Sequence, residues 1–169
     1  MPAPDRIMVP VGSGGTLAGL TLGVAMTELD ADVVGVRVVE KLVTNRCSVS
    51  VLASRTARLL RGEGLDAPWT RPGDLRILAD YLGGGYGEPT PAGERAEAVA
   101  SEHGLELDPT YTAKAVAAIA DRADGWRDDT VLYWHTLDGR EPPRLAREEA
   151  AARLPEEYRS FLDGDEHGG

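Results

Sequence analysis

The chain is poor in lysine, cysteine and aromatic residues, and each shortage excludes a class of site. It has two lysines, Lys41 and Lys114, a single cysteine, Cys47, and 5% aromatic residues. One cysteine excludes a disulfide framework within the chain, and the tryptophans are too scattered in sequence to form a stacking platform for bases. Neither lysine follows the glycine-rich segment near the N-terminus, which excludes a P-loop because that motif ends in Gly-Lys and then Ser or Thr.

Charge and hydropathy exclude further classes of protein. The formal net charge is −10, whereas proteins that bind nucleic acid present a basic face to the phosphates. No apolar run reaches the ~18 residues of a membrane span, and the N-terminus lacks the pattern of a signal peptide. No His-x-x-x-His or Cys-x-x-Cys spacing indicates a metal site. We therefore expect a cytoplasmic protein that binds no nucleic acid, membrane or metal.

The most informative segment is rich in glycine and lies between a predicted strand and a predicted helix. Residues 12–19 read Gly-Ser-Gly-Gly-Thr-Leu-Ala-Gly, after the apolar run 7–11 and at the start of an apolar helical pattern over 16–29. A strand that turns through glycines into a helix N-terminus points backbone N–H groups at one spot, where the helix dipole adds positive charge. We therefore predict that this loop binds a phosphate group.

Three interpretations of the loop remain open. A dinucleotide fingerprint, Gly-x-Gly-x-x-Gly, matches Gly12 and Gly14, and Glu40 stands where an acid would bind a ribose, but Leu17 replaces the third glycine. The segment Gly-Ser-Gly-Gly-Thr-x-Ala-Gly resembles the phosphate cup of fold-type II pyridoxal enzymes. The third interpretation is an ordinary glycine-rich turn that holds no ligand.

Apolar periodicity and turn residues predict strands that alternate with helices. Such alternation is typical of an α/β fold with a parallel sheet and right-handed crossovers. The predicted strands cover 7–11, 32–39 and 130–135, and 74–81 is predicted as a short strand or an extended piece. The predicted helices cover 16–29, 48–61, 91–103 and 111–122.

Four short segments together resemble one family. They are Val-Gly-Ser-Gly-Gly-Thr-Leu-Ala-Gly at 11–19, Asp-Tyr-Leu-Gly-Gly-Gly-Tyr-Gly at 80–87, Leu-Asp-Pro-Thr-Tyr-Thr-Ala-Lys-Ala at 107–115 and Leu-Tyr-Trp-His-Thr at 132–136. Their order and their residues resemble the C-terminal half of the 1-aminocyclopropane-1-carboxylate (ACC) deaminase/D-cysteine desulfhydrase family. The resemblance implies a partial doubly wound parallel sheet, the large cofactor-binding domain of a tryptophan-synthase-β-like fold.

The resemblance also implies a cofactor and the residues that hold its phosphate. Backbone N–H groups of the cup would wrap the phosphate of pyridoxal 5'-phosphate, with the Ser13 and Thr16 hydroxyls assisting. The implied cup residues are Gly12, Ser13, Gly14, Gly15, Thr16 and Leu17.

Two tyrosines and two threonines complete the implied site. Tyr86 would lie beside the substrate, Tyr111 would face its reacting carbon, and Thr112 and Thr136 would lie near the pyridine nitrogen. Both threonine positions agree with the desulfhydrase branch, whereas the deaminases have Glu and Leu there. A neutral hydroxyl does not hold the pyridine nitrogen protonated as a carboxylate does, which favours α-proton loss and β-elimination from a cysteine-like amino acid.

The chain departs from the family in three ways. Ala113 and the pair Leu137-Asp138 replace residues that are usually glycine, and no segment matches the one that carries the family's Schiff-base lysine. We therefore expect the chain to be inactive alone. A second polypeptide would supply the lysine and form a hetero-oligomer, and the joint site would act on an amino-acid substrate to give a keto acid and ammonia. The alternative is a non-catalytic paralogue that binds a phosphate ligand or acts as an interaction protein.

The resemblance and the composition together divide the chain into three parts. Residues 1–144 would form the C-terminal part of the pyridoxal-phosphate-binding domain. Charged helical residues over 145–163 would form an extension, and the glycine-rich end, 164–169, would be a disordered tail.

Overall fold

The computed structural model describes residues 2–137 and 147–156. They belong to two compact units, one spanning residues 1–137 and one spanning 138–169. In the second unit, a helix covers Arg147–Arg153 within the predicted extension; position 144 and the predicted tail 164–169 lie outside the described residues. Within the described ranges, no helix is both long enough and apolar enough to cross a membrane.

The first unit contains a parallel sheet whose crossovers contain helices. Along the chain its elements are β1 (Arg6–Val11), α1 (Gly15–Ala25), β2 (Asp32–Arg37), α2 (Arg46–Gly62), β3 (Arg76–Leu78), α3 (Pro91–Glu102), α4 (Thr112–Ala120) and β4 (Val131–Tyr133). The strand order is β3-β2-β1-β4, and every pairing is parallel. Met8 of β1 pairs with Val34 of β2 on one side and with Tyr133 of β4 on the other. The predicted α/β fold with a parallel sheet is therefore confirmed.

Helices cover both faces of the sheet, as expected for a doubly wound fold. Neighbouring strand residues point to opposite faces, so Val9 packs with Leu17 of α1 and Val49 of α2, whereas Met8 packs with Ala115 and Ala118 of α4. Helix α3 packs in turn against α4. The central strand β1 is therefore buried on both sides, which explains its continuous apolar run.

Several elements are shorter than their apolar patterns predict, and at two of them a side chain binds the backbone near one end. Helix α1 stops at Ala25, and just beyond it the Thr27 hydroxyl donates to the carbonyl of Val24 at 3.0 Å. The strand predicted over 74–81 is reduced to Arg76–Leu78, since Asp74 accepts from the Arg71 N–H at 2.7 Å and closes a 3₁₀ turn over Pro72–Asp74. Such local bonds compete with helix and sheet ladders.

The absence of a side chain at Gly35 allows β2 to pack closely against α1. A Cβ at Gly35 would lie 2.6 Å from Val11 Cγ2 and 2.7 Å from Leu17 Cδ2. We expect Gly35→Ala to lower the free energy of unfolding by about 1–3 kcal/mol through overpacking, measured by urea denaturation. Gly23→Ala is the matched control, because no heavy atom lies within 4 Å of its Cβ position; it should stabilise α1 by about 0.5–1 kcal/mol. Equal stability of Gly35→Ala and the parent chain would contradict this packing.

Candidate functional site

The loop between β1 and α1 forms a cup of backbone N–H groups. Gly14 is the N-cap of α1 and has the left-handed φ of 88°. The first intrahelical bond runs from Ala18 N to Gly14 O at 2.9 Å, so the N–H groups of Gly15, Thr16 and Leu17 precede the helical ladder. Gly15 and Thr16 are exposed, which leaves the open side of this cup accessible.

Neighbouring elements fix the shape of the cup. The buried Thr44 hydroxyl donates to the Gly12 carbonyl, which ties the loop to the turn that follows β2. A Cβ at Gly14 would lie 2.7 Å from Val49 Cγ2, and a Cβ at Gly12 would lie 2.9 Å from the Tyr111 hydroxyl. Larger residues at these glycines would therefore displace either α2 or Tyr111.

The cup has the charge and the free donors that a phosphate requires. The first turn of α1 contains no acidic residue, and no side chain caps its N-terminus. In a chain with a net charge of −10, this is a local electropositive spot made by backbone dipoles. The residues present therefore fit the phosphate group of pyridoxal phosphate.

Asp108 places Tyr111 at the start of α4. Its carboxylate accepts hydrogen bonds from the Tyr111 N–H at 2.8 Å, the Thr112 N–H at 3.1 Å and the Thr112 hydroxyl at 2.8 Å. Burial raises the pKa of Asp108, but these bonds outweigh burial, so the pKa lies below its usual value. The charged carboxylate thus caps the helix and fixes the backbone from which the Tyr111 side chain projects.

Tyr86 and Tyr111 meet in front of the cup. Their hydroxyl oxygens are 3.0 Å apart, and their rings make an edge-to-face contact with centroids 5.8 Å apart. The hydrogen bond with Tyr86, together with burial, raises the pKa of Tyr111 to about 12. The Tyr111 hydroxyl therefore keeps its proton at neutral pH.

The two threonines have different surroundings. Thr112 is 1% exposed, and its hydroxyl is bonded to Asp108. Thr136 is exposed and follows β4 at the same edge of the sheet as the cup. Asp138, which departs from the family pattern, lies outside the described residues.

The two lysines also differ. Lys114 is completely buried, and its ammonium donates to the carbonyls of Leu82 at 2.8 Å and Gly85 at 3.3 Å. Lys41 is exposed in the turn that follows β2.

Sequence reasoning missed three residues that support the site. Asp108 is the easiest of the three to predict, because an Asp side chain commonly binds the backbone N–H two residues on in an Asx-turn, as Asp108 does with Thr110 at 3.0 Å. Thr44 and Lys114 support the site through contacts distant in sequence, with Gly12 and with the 82–85 loop. Neither has a local pattern that reveals its contact.

Comparison with known proteins identifies the family to which the chain belongs. Residues 1–136 match the family described as "Pyridoxal-phosphate dependent enzyme". Over 136 residues the chain is 34% identical to D-cysteine desulfhydrase from Salmonella newport and, equally, to that from Salmonella typhimurium, covering 78% of this chain and 39% of each relative. A crystal structure of an ACC deaminase homologue matches with a TM-score of 0.61 and 30% identity, covering 78% of this chain and 38% of that one.

The chain thus belongs to the pyridoxal-phosphate-dependent enzymes and is similar to D-cysteine desulfhydrase and ACC deaminase. The family and the cofactor predicted from the four sequence segments are confirmed. The chain spans about two fifths of the length of the curated relatives that it matches, 39%. The matched residues, 1–136, span the whole candidate site described above.

The Asp108 cap predicts a pH-dependent stability. We expect Asp108→Ala to lower the free energy of unfolding at neutral pH by about 1–2 kcal/mol. Because the folded-state pKa is depressed, this contribution is present above the unfolded pKa of about 3.9 and is lost as pH falls through the folded value. The gap between variant and parent should therefore close in acid, in urea denaturation at a series of pH values. Asp128→Ala, at an exposed position, should stay within about 0.5 kcal/mol throughout; a gap independent of pH would contradict the role of Asp108.

Proposed function

We propose that this chain contributes the phosphate cup and the two site tyrosines of a pyridoxal-phosphate-dependent lyase or deaminase. The substrate class is a cysteine-like or small amino acid, and the products are a keto acid, ammonia and, from cysteine, sulfide. The observation that carries the proposal is the convergence of the uncapped α1 N-terminus, Tyr111 and Tyr86 at one edge of the sheet. The names of the relatives, a D-cysteine desulfhydrase and an ACC deaminase homologue, support the substrate class.

Each part of the site has a task in this proposal. The N–H groups of residues 15–17, with the Ser13 and Thr16 hydroxyls, hold the phosphate and so orient the cofactor. When bound, pyridoxal phosphate serves as an electron sink for the α-carbon of the amino acid. The Tyr111 and Tyr86 hydroxyls hold the substrate, and Tyr111 keeps a proton at its reacting end.

Neutral residues near the pyridine end favour elimination. We assign Thr112 and Thr136 to this end, where Thr112 stands in place of the Glu carboxylate that a deaminase would use. Without that carboxylate the ring nitrogen is not held protonated, so the electron sink is weaker. β-Elimination after α-proton loss needs less stabilisation of negative charge than deeper carbanion chemistry does, which supports the desulfhydrase-like assignment.

We further propose that the lysine of the site comes from another polypeptide. Lys114 is buried and bonded to two carbonyls, and Lys41 is exposed on the turn after β2. This supports a hetero-oligomer in which a lysine-bearing chain docks at the open side of the cup. A non-catalytic role in phosphate-ligand binding or protein interaction is the competing outcome.

A negative charge at the mouth of the cup should weaken phosphate binding without harming the fold. The Cβ position of Gly15 has its nearest neighbour at 4.0 Å, so Gly15→Asp fits, and an acid in the first turn favours the helix. We expect this variant to weaken binding of pyridoxal phosphate about ten-fold or more, ~1.4 kcal/mol, by equilibrium dialysis.

The control adds the same charge to the same helix one turn later. Gly19 is exposed with no heavy atom within 4 Å of its Cβ position, so Gly19→Asp should bind like the parent chain. Pyridoxal, which lacks the phosphate, should bind weakly to all three proteins. Equal binding of pyridoxal and pyridoxal phosphate by the parent chain would refute the cup assignment.

Supply of the lysine by a second polypeptide is tested by co-expression. The tagged chain is co-expressed with the product of a neighbouring reading frame that carries a Gly-Asn-Lys segment, and keto-acid release from D-cysteine is measured. We expect turnover by the co-purified pair, none by the chain alone, and none when the partner's lysine is changed to alanine; Lys41→Ala should retain turnover. A co-purified pair that binds pyridoxal phosphate but never turns over would favour the non-catalytic role.

A further inference from the structure

Lys114 is a buried cation in α4, the helix whose N-cap residue is Tyr111. Its side chain is 0% exposed, and its ammonium contacts the carbonyls of Leu82 and Gly85. A fully buried lysine is rare, because removing an ammonium from water is costly unless it is well bonded. Burial lowers the pKa of Lys114, while the carboxylates of Glu88 and Glu40 act in the opposite direction. The two carbonyls that accept from Lys114 both belong to the loop over residues 82–87.

The segment it holds is the glycine loop that carries Tyr86. Gly83 and Gly87 have left-handed φ values of 74° and 82°, and three glycines in a row, 83–85, precede Tyr86. Glycine loses more conformational freedom on ordering than other residues, so such a loop requires strong anchors. The Tyr86 N–H reaches Glu40 Oε1 only at 3.4 Å, whereas Lys114 binds carbonyls at two points of the loop.

Helix α4 therefore contacts both partners of the tyrosine pair. Tyr111 and Lys114 are three residues apart, which puts them on the same side of the helix. The Tyr111 hydroxyl reaches the Tyr86 hydroxyl at 3.0 Å, and the Lys114 ammonium fixes the carbonyl of the residue before Tyr86. The position of Tyr86 relative to Tyr111 is thus set from a single rigid element.

We propose that Lys114 is a positioning residue that holds the 82–87 loop against α4 so that the Tyr86 hydroxyl meets the Tyr111 hydroxyl. The importance of this position for chemistry rests on the proposed function, which puts both tyrosines at the substrate. The contact itself is a property of the folded chain. It is therefore measurable without cofactor or phosphate, and its failure is distinguishable from failure of the cup.

The test replaces the ammonium with an apolar side chain of similar length. In Lys114→Met we expect the NMR cross-relaxation between the Tyr86 and Tyr111 rings to be lost at neutral pH. Cleavage after Tyr86 by chymotrypsin should accelerate about ten-fold or more, because the loop opens locally. Lys41→Met, at the exposed lysine, should match the parent chain in both measurements, and Lys114→Arg should retain part of the ring contact because it keeps a charged donor.

Two results would overturn the proposal. One is a folded Lys114→Met that keeps the ring contact and the parent cleavage rate. The other uses the unmodified chain and applies even if Lys114→Met does not fold: reductive methylation should label Lys41 at least about ten-fold faster than Lys114. Equal labelling would show that the ammonium is not held by the loop.

Discussion

The parallel pairing of β1 between β2 and β4 is the constraint on which the site depends. Parallel strands end at the same edge of a sheet, so the segments that follow them are brought together there. The cup follows β1, the turn with Thr44 follows β2, and Trp134–Thr136 follow β4. Burial of β1 on both faces holds this edge in place, since its side chains pack against α1 and α2 on one face and against α4 on the other.

Helix α4 organises the other half of the site. Asp108 binds its first N–H groups, Tyr111 reaches back to Gly12, and Lys114 holds the glycine loop. The helix is rich in alanine and packs closely against Met8 and its neighbours, so it acts as a rigid support. Positions of catalytic groups set from such an element are more precise than those set from a loop alone.

Charge is distributed unevenly around this edge. The chain as a whole is strongly acidic, yet the first turn of α1 has no acid, and the cup is positive through its backbone dipoles. The carboxylates of Glu40 and Glu88 lie instead near the Lys114 ammonium, where they offset a buried charge.

Much of this architecture could be predicted from local sequence. The apolar run before the glycines, the Thr90-Pro91 helix start and the alternation of strands with helices specified the element order, because each follows from periodicity or capping within a few residues. The four family segments predicted the cup and both tyrosines. Only the tertiary structure decided how these parts meet: Thr44 binds Gly12 across 32 residues and Lys114 binds Leu82 across 32. A hydrogen bond between residues so distant in sequence depends on strand order and helix packing, and neither residue type alone indicates its partner.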